Sequence, residues 1–337
     1  MNESFFSGNW LVVALLAPML WALVSVIDVY FVGGKIYKDE IDGAMISGLF
    51  QLVPAGFLFF LIRGELSLFW HETLNQGPLL EVVLGSEKFQ AVILAFVGGF
   101  VLNLAFFFYF KALFSRNDAS LVQILWNLCV VVVPLLSFLV SGEVLPAYKY
   151  AGMGIVLAGA TLLSLDKTLR ETVSARFLWM MAGAILFWSV AMVIQDNAYG
   201  MLENHGYRDW GFWIGLFFFT LGGFYSGLLF LIFSMRSPLR LIRKFFPIFF
   251  AVESLAFLGI FFSQRAIDIS PSVSFVATIE TFVPLFVLLF SSLVVVGCRL
   301  IGKRKELGEI YRGQLKDIPI KILAGFVMLA GVFVIYF

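Results

Sequence analysis

Charge is what this sequence has least of. Only 13% of its 337 residues are Asp, Glu, Lys or Arg, about half the share of a soluble domain. The net charge is +1, with no basic domain, which argues against a nucleic-acid partner. Two cysteines, Cys129 and Cys298, give neither a disulfide framework nor a zinc spacing. Two histidines, His71 and His205, are too few for a histidine metal cluster. There is no G-x-x-x-x-G-K-[S/T] phosphate loop, no H-E-x-x-H and no G-x-S-x-G elbow. These absences remove ATP-driven pumps and the commonest hydrolases, and nothing calls for a cofactor.

What is abundant is apolar surface. Hydrophobic residues make up 61% of the chain, and the mean hydropathy is +0.96. A soluble fold of this size cannot bury that much, so the bilayer is the solvent. A spanning helix needs about 20 apolar residues. Ten such spans are predicted: 10–32, 43–62, 89–113, 118–140, 147–165, 177–197, 210–233, 245–266, 271–296 and 318–337. Runs such as Ala91 to Phe110 do not alternate, which excludes barrel strands. The first span has no basic lead-in and too long an apolar run for a cleavable signal. The linkers 63–88 and 297–317 are longer than the rest. The first is expected to be either an amphipathic interfacial helix or a surface loop, the second a solvated charged loop. The histidines are expected in loops.

The chain repeats itself. A shift of 167 positions sets Trp21 on Trp188 and Gly48-Leu49-Phe50 on Gly215-Leu216-Phe217. A shift of 154 sets Phe107-Phe108 on Phe261-Phe262 and Lys111-Ala112-Leu113 on Arg265-Ala266-Ile267. Near 172, Leu157-Ala158-Gly159 falls on Leu329-Ala330-Gly331. The matches keep chain order and pair the first five spans with the last five. Five is odd, so the second half enters the membrane from the opposite side. The expected fold is an all-α integral membrane protein of ten transmembrane helices as two inverted five-helix repeats, 1–166 and 167–337. Transporters of this design bind solute near the midplane, between the halves.

The third to fifth spans carry a family likeness. Tyr109-Phe110-Lys111-Ala112-Leu113, Asp118-Ala119-Ser120-Leu121-Val122, Ser141-Gly142-Glu143-Val144 and the Gly152 to Gly159 run together resemble the drug/metabolite transporter superfamily. More narrowly, they resemble its EamA-like ten-helix branch. The second half carries Arg265-Ala266-Ile267, and Pro284 stands at the family's fourth-helix proline. In the first half Val130 occupies that place, with Pro134 one turn on. The chain departs from the family at 297–317. The resemblance implies cytoplasmic termini and leaves the substrate open. The charge distribution points the other way. Arg63, Lys88, Lys149, Arg208 and Arg265 lie on the side of the N-terminus, and the other eighteen of the 23 Lys and Arg lie opposite. The positive-inside rule makes that second side cytoplasmic.

Polar residues at membrane depth are functional candidates, because an ionisable group there costs roughly 2.5–3.5 kcal/mol on insertion scales. Glu253 and Glu280 are two, proposed for proton coupling or solute contact. Counted from the turn at Asp268 they differ in depth by about 5 Å. The structural alternative pairs them with Arg265 or Lys111, or hydrogen-bonds them within the bundle, where they serve packing. Those two cations end equivalent spans and are expected near opposite mouths, to attract an anionic substrate, as gates with Asp268 or Asp118, or as snorkelling side chains. Trp21, Ser25 and Asp28 share a helix face, and the 167 shift carries it to Trp188, Met192 and Gln195. Gln123, Trp126 and Asn127 share another, carried by the 154 shift to Ala277, Glu280 and Thr281. These faces suit a central cavity for a small solute. Asp28 is expected near the interface, Tyr109 and Gln51 are weaker candidates, and Gly154 with Ala158 has the spacing of a close helix contact.

The reading is therefore a secondary transporter moving a small organic solute (metabolite, amino acid or drug-like) by alternating access, with proton coupling as a subsidiary element. The alternatives are an integral-membrane enzyme and a non-transporting scaffold or receptor. Lipid and solute are the expected partners, and a homodimer is compatible with the sequence. A bacterial chain of this kind belongs in the inner membrane.

Overall fold

The computed structural model describes residues 10–33, 36–74, 86–116, 122, 125–162, 174–204, 210–234, 238–301 and 318–336. The described residues form helices and no strand. In chain order these are α1 (Trp10–Gly33), α2 (Glu40–Phe50), α3 (Leu52–Leu74), α4 (Glu87–Arg116), α5 (Cys129–Ser141) and α6 (Ala147–Leu162), followed by α7 (Ala175–Asn204), α8 (Gly211–Ser234), α9 (Leu239–Ile269), α10 (Val273–Glu280), α11 (Val283–Ile301) and α12 (Ile318–Tyr336).

Seven helical segments are long and apolar enough to cross a bilayer, taking α2–α3 and α10–α11 as single broken rods. The protein is thus a multi-pass integral membrane protein. The outer surface agrees with a lipid solvent: Phe60, Trp179 and Phe233 are 70%, 78% and 80% exposed. In lipid the backbone must satisfy itself, which only helices and closed barrels achieve. The shorter helices α5, α6 and α12 fall where the fourth, fifth and tenth spans are expected. Most of 117–124, the start of the fourth, lies outside the described residues, as does most of 297–317.

The 63–88 expectation needs correction. α3 runs on to Leu74, with Leu66 and Phe69 buried, and Trp70 meets Phe89 and Phe218 at 6.1 and 6.3 Å. That stretch packs on the bundle and does not lie flat in the interface. His71 is an exposed residue of α3, not of a loop, and His205 lies outside the described residues.

Helix pairs run antiparallel. Trp21 of α1 lies against Gly259 of α9, and Phe31 against Phe249 at 5.4 Å. Phe108 of α4 stacks on Phe187 of α7 at 5.5 Å, and Gly98 faces Gln195. α6 and α12 meet through Gly152 with Gly331 and Gly159 with Ala324. Small residues let backbones approach in lipid, where dispersion rather than the hydrophobic effect holds helices together. The close contact expected at Gly154 and Ala158 is placed elsewhere. Gly154 has nothing within 4 Å of an added Cβ, Ala158 is exposed, and α12 sits instead on the Gly152–Gly159 face.

Two rods break where they pass the centre. Phe282 donates to the Ile279 carbonyl at 3.1 Å, and Leu285 and Phe286 both donate to the Phe282 carbonyl at 3.0 and 3.2 Å. In the first half Leu128 donates to Leu125 at 3.0 Å, and Val131 and Val132 both donate to Leu128 at 2.9 and 3.2 Å. A shift of 154 residues superposes all three bonds, donor on donor and acceptor on acceptor. Such short-range bonds mark an interruption of the α-helical ladder. α5 then ends at Gly142, whose left-handed φ of 68° caps the helix through its N–H to the Phe138 carbonyl.

Candidate functional site

The breaks and the antiparallel pairs converge on a cavity of about 60 Å³. α1 supplies Trp21, Ser25 and Asp28, one face at i, i+4, i+7 as predicted. α2 supplies Ser47, α4 supplies Phe106, Tyr109 and Phe110, and Trp126 precedes α5. Trp188 comes from α7, Glu253 and Ala256 from α9, Glu280 from α10 and Val283 from α11. Of the described residues lining it, none is Lys, Arg or His.

The aromatic side chains form one connected wall. Trp188 meets Trp126 at 5.1 Å, Trp21 at 5.7 Å edge-on and Phe106 at 6.2 Å. Trp21 meets Phe106 at 5.7 Å, and Tyr109 meets Trp126 at 5.8 Å at right angles. Trp21 and Trp188, equated by the 167 shift, thus touch each other. Edge-to-face packing of this kind fixes ring orientation and leaves ring faces for the cavity.

Three carboxylates stand in that wall. Glu253 accepts from the Ser47 hydroxyl at 3.1 Å. Asp28, 5% exposed, accepts from the Tyr109 hydroxyl at 3.4 Å, so it is a cavity residue and not an interfacial one; α1 continues past it to Gly33. Glu280 accepts from the Ser263 hydroxyl at 2.5 Å through one oxygen, while its other oxygen is buried without a hydrogen-bond partner. The Trp21 indole N–H is likewise buried and unpaired, and the Trp188 indole faces the Glu280 carboxyl without a formed hydrogen bond. Neither Glu253 nor Glu280 pairs with Lys111 or Arg265; each is instead hydrogen-bonded within the bundle, to Ser47 and Ser263. Arg265 binds Asp268 and lies 5.0 Å over the Phe212 ring, and Lys111 sits 5.3 Å over Phe107. Asp118 is outside the described residues.

The depth expectation is corrected too. α9 ends at Ile269 and α10 begins at Val273, so the turn consumes residues that the count assigned to helix. Glu280 lies about 10 Å and Glu253 about 24 Å from that turn at 1.5 Å per residue. Glu280 therefore stands at one end of the cavity, and Glu253 with Asp28 at the other. The sequence-predicted Arg265 and Lys111 do lie at opposite ends. Gln264 bonds Tyr199 at 3.2 Å whereas Phe108 packs on Phe187 and Gly183. These levels on α7 are roughly 20 Å apart.

The remaining predicted residues that the structure describes are not in the cavity wall. Gln195 is fully buried opposite Gly98 with its amide unpaired. Asn127 is buried with an unpaired amide nitrogen. Thr281 turns its hydroxyl back to the Thr278 carbonyl at 2.7 Å. Gln51 lies with Gly99, Asn103 and Gly223 around a separate void of about 10 Å³. Gln123 lies outside the described residues. Ser47, Ser263, Phe106 and Phe110 were not predicted. Phe106 and Phe110 share the Tyr109 face at i, i+3, i+4 and were legible there; the two serines answer carboxylates on other helices and had no local signal.

A second, polar hollow of about 400 Å³ opens where α5, α7 and α9 end, lined by Ser141, Asp196, Asn197, Tyr199, Glu203 and Asp268 among others. Tyr199, bonded to Gln264, lies between it and the Ser263–Glu280 pair. At the other end of the central cavity Tyr37 stacks on Phe249 at 5.8 Å, edge-on to Phe31 and Phe110 at 5.3 and 5.6 Å. Among the described residues no group of three or more His, Cys, Asp and Glu is placed to hold a metal.

No family model matches the chain, and no curated protein matches it. Solved structures do: 19 chains match. One, described only as "Crystal structure of protein", aligns at a TM-score of 0.61 and 16% identity over 98% of this chain and 96% of its own. At that identity the likeness is one of fold.

Proposed function

We propose that this protein is a secondary transporter of small organic solutes working by alternating access, with residues 1–166 and 167–337 as inverted five-helix repeats of the EamA-like kind. The observation that carries the reading is the central cavity, enclosed between the two halves and lined by aromatic rings and three buried carboxylates. Intramembrane carboxylates that contact a cavity are expensive, and they mark pathways.

The repeat draws support from geometry as well as sequence. The 154 shift carries the interruption at Leu128 onto that at Phe282, bond for bond. The 172 shift exchanges the members of the α6–α12 contacts: Gly152–Gly331 becomes Ala324–Gly159. A pair that maps onto its neighbour with the partners swapped is what a two-fold axis between antiparallel helices produces. Broken helices at the midplane are a recurring device of such transporters.

Two gates follow. The Tyr199–Gln264 bond closes the side of the polar hollow, and the Tyr37–Phe249 stack closes the other. Rocking of the halves would open them in turn. We take Glu280 and Glu253 as the proton-coupling pair, with Asp28, Tyr109, Tyr37 and Cys129 the titratable groups around them; uptake by a Glu280→Gln variant then no longer varies with pH.

The test needs no substrate. In a background with Cys129 and Cys298 replaced by Ala, a Ser25→Cys variant is exposed to a membrane-impermeant maleimide in right-side-out and inside-out vesicles. Labelling from both sides is expected. Labelling from one side only, or from neither, would refute alternating access in favour of a receptor or scaffold. A single cysteine at Asn204, at the mouth of the polar hollow, reports which side that mouth faces. It thereby decides between the charge-derived and family-derived orientations.

A further inference from the structure

We infer that the solute is an organic cation, an ammonium ion carrying one neutral hydrogen-bond acceptor; the inference rests on the transporter reading and deepens it. The cavity offers carboxyl groups at both ends and aromatic faces between. Glu280 stands at one end with an oxygen that is buried, unpaired and part of the cavity wall. Glu253 and Asp28 stand at the other. Trp21, Trp126, Trp188 and Phe106 lie between them, and ring faces attract a cation through their quadrupole, most strongly where water is excluded.

An anion has no cationic side chain to meet there: the described lining holds no Lys, Arg or His. Lys111 and Arg265, the nearby candidates by sequence, are engaged with Phe107 and with Asp268 and Phe212. A neutral apolar solute would leave a buried carboxyl oxygen and the Trp21 indole N–H without hydrogen bonds, which is costly. An ammonium satisfies the oxygen, and a hydroxyl or ether oxygen on the same solute accepts from an indole N–H. The approach has the same sign. Asp196 and Glu203 line the polar hollow, beside Asp268 with its Arg265 partner, so a cation entering there passes from the first two acids to Glu280 and then along the aromatic wall to Glu253 and Asp28. At about 60 Å³ the closed cavity takes a small head group; a larger body requires an open gate.

Two size-matched trios test this on detergent-purified protein, read by tryptophan fluorescence and by titration calorimetry. The first is ethanolammonium, propan-1-ol and glycolate. The second is choline, 3,3-dimethylbutan-1-ol and 3,3-dimethylbutyrate. At least one cation is expected to bind saturably, at least tenfold tighter than its neutral and anionic counterparts. Glu280→Gln, Glu253→Gln and Asp28→Asn each weaken that cation at least tenfold, whereas the neutral alcohols are unaffected. Equal or tighter binding of an alcohol or an anion overturns the inference. So does binding of neither cation, or a cation affinity untouched by all three carboxamides. The wild-type trios need no variant, so the result stands even if a carboxamide protein does not fold. Transport is scored separately in proteoliposomes. Cation binding without flux overturns the transporter reading and leaves the site; flux of an anionic or neutral solute without cation binding does the reverse.

Discussion

Adding one methyl group to a glycine should stabilise this protein at an open position of α6 and destabilise it at a packed position of α12. A Cβ at Gly331 would lie 2.6 Å from Val156 Cγ2 and 2.7 Å from both the Gly152 carbonyl oxygen and the Val156 nitrogen. Two of those three atoms are backbone, so no side-chain rotation relieves the overlap. To restore ordinary contact the helices must separate by about 0.7 Å, and a gap of that size forfeits a quarter to a half of each atom-pair attraction. Overpacking of this kind costs roughly 1–3 kcal/mol. The helix-propensity gain of Ala over Gly, roughly 0.5–1 kcal/mol, offsets only part of it. Gly154 has nothing within 4 Å, so Gly154→Ala keeps the gain and pays no overlap. Thermal melts at one scan rate in one detergent should rank Gly154→Ala at or above wild type and Gly331→Ala below it by a few degrees. Gly152→Ala/Gly331→Ala should lose less than the sum of the single variants, since both methyls push the same two helices apart. If Gly331→Ala melts with wild type, or Gly154→Ala falls as far as Gly331→Ala, the packing argument is wrong.

Trp188→Ala removes the ring that joins Trp21, Trp126 and Phe106, and should cost about 3–5 kcal/mol, measured by the same melts; an unchanged melting temperature would mean the ring is not packed. Tyr199→Phe breaks the bond to Gln264 at a cost of about 1 kcal/mol. It should speed labelling of the Ser25→Cys protein from the polar-hollow side alone; equal acceleration from both sides, or none, would remove Tyr199 as a gate.

Much of the membrane architecture was legible because lipid permits so few alternatives. The seven long apolar helices coincide with seven of the ten predicted spans. The α1 face of Trp21, Ser25 and Asp28 was legible because helical periodicity alone fixes it. What periodicity cannot fix is how far a cavity extends along a face. Gln195 lies two turns from Trp188 on the same side of α7, yet it is buried against Gly98, past the end of the open space. Nor can a spacing rule choose the packed face. Gly154 and Ala158 have the right separation, but α12 lies on Gly152 and Gly159. The hydroxyls that meet Glu253 and Glu280 come from Ser47 and Ser263, on other helices, and no local pattern announces such partners. The depth error at Glu280 came from treating the turn between α9 and α10 as helix.

The paired interruptions raise the question of what breaks the helices. In the second half Pro284 has no N–H to offer the Glu280 carbonyl, and proline in a helix interior costs about 3 kcal/mol or more. The first half has Val130 at the equivalent place, yet it adopts the same three bonds around Leu128. Val130 itself donates at 3.1 Å to the Asn127 carbonyl, not to that of Trp126 four residues back. Proline is therefore not required for the break; the packing around Trp126 and Glu280 holds it in both halves. It follows that Val130→Pro should be cheap. The carbonyl that a proline ring normally displaces is already turned away from the ladder, and only the Asn127 bond is lost, worth about 0.5–1.5 kcal/mol. Ala105→Pro, in the uninterrupted α4, should cost the full interior penalty. Melts of the two variants in the same detergent separate these cases. Val130→Pro as damaging as Ala105→Pro would mean that the local backbone, not its surroundings, sets the interruption, and that the two halves share the break by coincidence.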